Sequence, residues 1–120
     1  MCDRVDLLIP QGTDYPLTLI DRVRDFTGYT LRMQGRTSFD DNQTVFSWGT
    51  ATGEWTIAYA SGVSTLTLNV TAAVTALLGH SPHNQAHGIS GVYDLEAVSP
   101  AGIVTRIMQG TFVVDPEVTR

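Results

Sequence analysis

No lysine occurs in this sequence, and its basic residues are seven arginines, at positions 4, 22, 24, 32, 36, 106 and 120. They form no basic run, and the net charge is −5. Both facts speak against a nucleic-acid partner, because binding a phosphate backbone requires clustered cations that release counterions. They also speak against an anionic membrane surface. Cysteine is equally scarce. Cys2 stands alone, so an intrachain disulfide is impossible and a disulfide-stapled secreted scaffold is excluded. No apolar run approaches the length of a membrane-spanning helix. The opening Met1-Cys2-Asp3-Arg4-Val5-Asp6 places acids where a secretory leader carries cations, and Leu7-Leu8-Ile9 is too short for its apolar segment. The expected place of synthesis is therefore a cytoplasm, where the triplets Asn42-Gln43-Thr44 and Asn69-Val70-Thr71 carry no glycan.

What the sequence does have is alternation with period two. The 120 residues suit one domain, spanning 1–120, large enough to fold without a metal or disulfide. Strands are predicted at Asp6 to Ile9, Tyr15 to Ile20, Thr30 to Gln34, Thr44 to Trp48, Trp55 to Tyr59, Ser64 to Val70, Val92 to Val98 and Ile103 to Val114. Pro16 cannot donate to a ladder and marks an edge. Gly35 is expected to break its strand. Ser99-Pro100-Ala101-Gly102 reads as the last hairpin turn. The period changes once. Thr71 can cap a short helix through Leu78, with Val74, Leu77 and Leu78 on one face and Gly79 as its stop. Many short strands, turns between them and one helix predict an all-β fold: an antiparallel β-sandwich, immunoglobulin-like or similar.

Residues able to carry chemistry are few. His80, His83 and His87 have spacing that could surround a transition metal, but no Cys, Asp or Glu lies between them and Pro82 and the flanking glycines make a loop. We expect no metal site and no cofactor. Asp40-Asp41-Asn42 lacks the spacing of a calcium loop and reads as a turn. Asp94 and Glu96 share a strand face, as paired acid/base carboxylates would, yet Arg106 is a natural cross-strand partner. No Gly-x-Ser-x-Gly elbow and no glycine-rich phosphate loop is present. The expectation is a protein that is not an enzyme. Trp48 and Trp55 flank a turn and, with Tyr59, could stack on a sugar; in sandwiches such residues are more often core or interface anchors.

Several segments together carry a resemblance. They are Gln11-Gly12-Thr13-Asp14-Tyr15, Asp25-Phe26-Thr27-Gly28-Tyr29 leading into Leu31-Arg32-Met33-Gln34, the Thr-Leu-Thr-Leu strand with its helix, Gly91-Val92-Tyr93-Asp94-Leu95-Glu96, and Gly102 to Val114. In these the chain resembles small virion proteins of tailed bacteriophages, and is similar to the N-terminal domain of upper baseplate proteins. It departs from them in a longer, His-rich loop from Gly79 to Gly91. The resemblance implies a docking module: a structural or adaptor protein of the virion, made in the host bacterial cytoplasm. Its partners would be tail, baseplate, neck or capsid proteins and further copies of itself. A capsid decoration protein, or a carbohydrate-binding module using Trp48 and Trp55, are the alternatives. Leu7, Leu8 and Ile9 are consecutive apolar residues, more than one buried strand face requires. They and the tryptophans Trp48 and Trp55 are the expected interface residues, partly buried against neighbouring subunits.

Overall fold

The computed structural model describes residues 3–37, 44–76, 78 and 89–115. In chain order the elements are β1 (Asp3–Arg4), β2 (Leu7–Pro10), β3 (Tyr15–Asp21), β4 (Thr30–Arg36), β5 (Phe46–Gly49), β6 (Trp55–Ala60), β7 (Val63–Val70), α1 (Ala72–Thr75), β8 (Ile89–Val98) and β9 (Val104–Asp115). They form two sheets. The larger runs β1–β9–β8–β4–β5, with β2 also on β9; the smaller runs β3–β7–β6. The expected all-β sandwich with one short helix is the observed architecture. Every pairing is antiparallel except at the start of the chain, where β1 and β2 lie parallel to β9. No helix among the described residues is long and apolar enough to cross a membrane.

Alternation decides what each sheet buries. Leu31 and Met33 on β4, Leu66, Leu68 and Val70 on β7, Leu95 on β8 and Phe112 and Val114 on β9 all point between the sheets and are almost wholly buried. Each such side chain contributes roughly 1.5–3 kcal/mol through burial. Tyr15, Leu17 and Leu19 on β3 pack against the same core from the edge of the small sheet, where Pro16 pairs with Asn69. β9 interrupts its own alternation. Leu95 pairs with Met108 but Glu96 with Arg106, so Ile107 is an extra residue, and consecutive Ile107 and Met108 both turn inward at this bulge.

Three local expectations are corrected. Gly35 does not break β4. It continues the strand opposite Phe46, whose ring occupies the space a side chain would need. The helix is a single turn, and Thr71 makes no side-chain cap; the Ala72 N–H instead donates to Asp14 Oδ1 at 2.8 Å. Val74 is exposed while Thr75 is fully buried. The Thr75 hydroxyl donates to the Thr13 carbonyl (2.6 Å) and accepts from the Gly12 N–H (3.1 Å), so a polar side chain, not an apolar stripe, ties this turn to the β2–β3 connection. Leu77 and Gly79 lie outside the described residues.

The crossover from β3 to β4 is held the same way. Asp21 Oδ1 accepts from the N–H groups of Val23 and Arg24, closing the charged turn. Buried Ser64 accepts from the Phe26 N–H at 3.1 Å and donates to the Arg24 carbonyl at 2.7 Å. One hydroxyl thus satisfies two backbone groups that the crossover would otherwise bury unpaired.

Candidate functional site

The outer face of the large sheet is where the charges converge. Pleating sends Arg32, Gln34 and Arg36 outward from β4, Asp94 and Glu96 from β8, and Arg106 and Gln109 from β9. The register sets Arg32 beside Glu96, and Gln34, Asp94 and Gln109 in one row. Arg32 Nε lies 2.9 Å from Glu96 Oε1, and Arg106 Nε lies 3.4 Å from Asp94 Oδ2. Arg36 Nη2 donates to Gln34 Oε1 (3.1 Å), and Arg106 Nη1 to Gln109 Oε1 (3.3 Å). These groups are half-exposed, so each pair is worth only about 0–1 kcal/mol. Together they set donors and acceptors of both signs side by side across this face. Asp94 sits deepest. Burial raises its carboxyl above the ordinary aspartate range and the Glu96 carboxylate raises it further, while Arg106, Arg32 and Arg36 offset only part.

At the N-terminal edge this face becomes apolar. Leu8 of β2 pairs directly with Val113 of β9, and both are exposed, at 59% and 45%. Between this pair and the ion pairs lies a depression of about 300 Å³, lined by Arg4, Val92, Asp94, Arg106, Gln109 and Thr111. The edge is pinned from below. The Val5 N–H donates to the Gln109 carbonyl, the Tyr93 hydroxyl to the Val5 carbonyl, and the Thr111 N–H to Asp6 Oδ1. The Thr111 N–H and hydroxyl, with Arg4 nearby, outweigh partial desolvation and hold the Asp6 carboxyl below its ordinary value. Gly110 is required here, since a side chain would strike the Val5 carbonyl. Four of the seven arginines (Arg4, Arg32, Arg36 and Arg106) thus stand on one face of an acidic chain.

The expected interface residues divide. Of Leu7, Leu8 and Ile9 only Leu8 is outside; Leu7 and Ile9 are 6% and 0% exposed and belong to the chain's own core. The physical reason is that β2 is a paired strand, not a loose terminus, so alternate residues must point inward. Trp48 and Trp55, 4% and 1% exposed, are also core residues; Trp48 stacks on Phe46 with centroids 4.2 Å apart. Neither tryptophan offers a face to a neighbouring subunit or forms an exposed sugar platform; of that trio only Tyr59 is exposed. The cross-strand neighbour expected for Asp94, Arg106, is its ion-pair partner. His80, His83 and His87, and the Asp40-Asp41-Asn42 turn, lie outside the described residues. Among the described residues no group of three His, Cys, Asp or Glu side chains could hold a metal ion.

Sequence reasoning missed Arg32, Arg36, Gln34 and Val113 as site residues. The signal was present: Arg32, Gln34 and Arg36 alternate on one strand, and Asp94 and Glu96 answer them on the next. No protein family model matches the sequence, and no curated protein is similar enough to count as a relative.

Proposed function

We propose that this chain is a docking module, a structural or adaptor protein of a tailed-bacteriophage virion, and that it binds through the outer face of its large sheet at the N-terminal edge. The observation that carries the reading is the exposed Leu8–Val113 pair on an edge strand, bordered by the ion-paired Arg/Asp/Glu/Gln array. An apolar centre rimmed by arginines and satisfied polar groups is the composition of a protein–protein interface, in which Arg is enriched and Lys depleted. The strand β2 leaves one row of backbone groups for a partner to meet. The sequence resemblance supplies the virion setting. In this reading the chain is made in the host bacterial cytoplasm, acts without catalysis or cofactor, and resides in the particle. Its partners are other tail, baseplate, neck or capsid proteins and further copies of itself, with neither nucleic acid nor membrane among them.

The test is incorporation. Leu8→Arg and Val113→Arg change exposed side chains, so both variants should fold with unchanged melting temperature. Mass spectrometry of purified particles should find the parent protein at a fixed copy number and both variants depleted. Full incorporation of the variants, or absence of the parent from particles, overturns the proposal.

A further inference from the structure

A second concave site lies on the opposite side of the molecule from the N-terminal edge, where the sandwich opens along β6. Trp55, Ile57 and Tyr59 all stand on the inner face of that edge strand, and burial falls along the row: Trp55 is 1% exposed, Ile57 is partly covered, and Tyr59 is 46% exposed. An inward-facing aromatic left half uncovered means that the two sheets part here. The gap is a groove of about 470 Å³, whose lining includes Tyr29, Thr50, Trp55, Thr56 and Tyr59. Among the described residues, none that lines it is charged.

Two further observations bear on what fits. Trp55 is among the residues that line this groove, and its Nε1–H, shut off from solvent behind the opening, is the one buried side-chain polar atom among the described residues that has no hydrogen-bond partner. A buried donor left unpaired is costly in a folded protein and gains from any acceptor that reaches it. The rim is also built rigidly. Tyr29 is braced edge-on against Phe26 at 5.1 Å, its N–H donates to the Phe26 carbonyl, and Thr50 is stitched to Leu31 through both backbone and hydroxyl.

We infer that this groove binds a neutral saccharide. A pyranose has an apolar face of C–H bonds that covers an aromatic ring, and hydroxyls that both donate and accept. Tyr59 and Tyr29 supply the rings, and the Thr50 hydroxyl and the tyrosine hydroxyls supply the polar contacts. The volume suits one or two sugar units and lies within the ordinary range of ligand sites. Absence of lining charge selects neutral over sialylated or uronic-acid sugars. The surface that binds is therefore not the tryptophan pair but the tyrosine-lined opening above one of them. The inference does not depend on the docking proposal, whose residues lie on the other edge.

The experiment titrates the full chain with neutral tri- and tetrasaccharides of glucose, galactose and mannose, and with a sialylated trisaccharide, followed by ¹⁵N-correlated NMR. At least one neutral sugar should bind saturably with a Kd on the order of 1 mM, as a shallow site with few contacts allows. The Trp55 indole N–H and the Thr56–Tyr59 amides should move, and the Trp48 indole should not. Tyr59→Ala, a half-exposed position that tolerates truncation, should weaken binding at least about tenfold. Arg106→Ala should bind as the parent does. No saturable shift with any neutral sugar, shifts with the acidic sugar alone, or undiminished binding by Tyr59→Ala would each overturn the assignment.

Discussion

Truncating Leu7, Leu8 and Ile9 one at a time should give three different answers, although the residues are adjacent and chemically alike. Ile9 is fully buried and pairs with Val114; Leu7 is 6% exposed and pairs with Phe112; Leu8 is 59% exposed. Removing a buried Ile or Leu side chain costs about 2–5 kcal/mol, made of lost transfer energy and the cavity left behind. Ile9 is fully enclosed in the core shared by the two sheets, so Ile9→Ala belongs at about 3–4 kcal/mol, with Leu7→Ala slightly below. Leu8→Ala removes little that is hidden from water and belongs within about 0.5 kcal/mol of the parent. Urea unfolding followed by fluorescence of the two buried tryptophans measures this directly. For a slope of roughly 1.5 kcal/mol per molar urea, Ile9→Ala moves the midpoint down by about 2 M and Leu8→Ala by less than about 0.4 M. A loss of 3 kcal/mol is a large part of the 5–15 kcal/mol typical of a domain. A Leu8→Ala variant as damaged as Ile9→Ala, or an Ile9→Ala variant costing under 1 kcal/mol, would refute the register of β2 on β9. The same series separates folding from docking, because Leu8 alone can be changed on the surface without emptying the core.

Two other expectations are independent of it. Gly35→Ala forces a methyl group into the Phe46 ring, which is stacked on Trp48 and cannot retreat freely; the melting curve should report a loss of about 1–3 kcal/mol, and a neutral result would mean β5 is not seated there. Glu96→Gln removes the anion that helps raise the Asp94 carboxyl, so NMR titration of that carboxyl should show its pKa falling toward the ordinary aspartate value. The sign for stability follows. The folded chain holds this proton more tightly than the unfolded chain, so the stabilisation contributed by Asp94 grows as pH falls through its raised folded pKa and is lost as pH rises. Glu96→Gln should flatten that dependence; an unchanged or steeper one would refute the coupling between the two carboxylates.

The strands were readable because this sheet buries one face at a time, and that leaves a period-two signature at Leu66-Thr67-Leu68-Asn69-Val70 and at Leu31-Arg32-Met33. What misled were residues whose role depends on a distant partner. Gly35 looks like a breaker until Phe46 is placed over it, and Thr75 looks like a helix surface residue until Gly12 and Thr13 meet it. The Leu7-Leu8-Ile9 run read as a surplus of apolar residues because its partner strand lies at the far end of the sequence. Trp48 and Trp55 flank a turn in sequence, but each lies on a strand and points inward, and nothing local reveals the direction of the pleat. The charged face was legible residue by residue but not as a face, because which of Arg32, Arg36 and Arg106 meets Asp94 is fixed by strand order.

The parallel seam between β2 and β9 also sets the order in which the molecule can be finished. Asp6 and Thr111, which share a hydrogen bond, are 105 positions apart. On the ribosome, Leu7 and Ile9 emerge long before the β9 residues they pair with. Within the small sheet, by contrast, β6 and β7 pair as neighbours, joined by the tight Ser61–Gly62 turn. The β2 strand is thus made well before the strand on which it docks. Contacts this remote carry a large loop-closure cost before they return any stabilisation, which slows folding. Until then the strip Leu7–Ile9 is an unpaired apolar strand held beside its own synthesis machinery, and its vulnerable interval is set by the time needed to translate the residues up to Asp115.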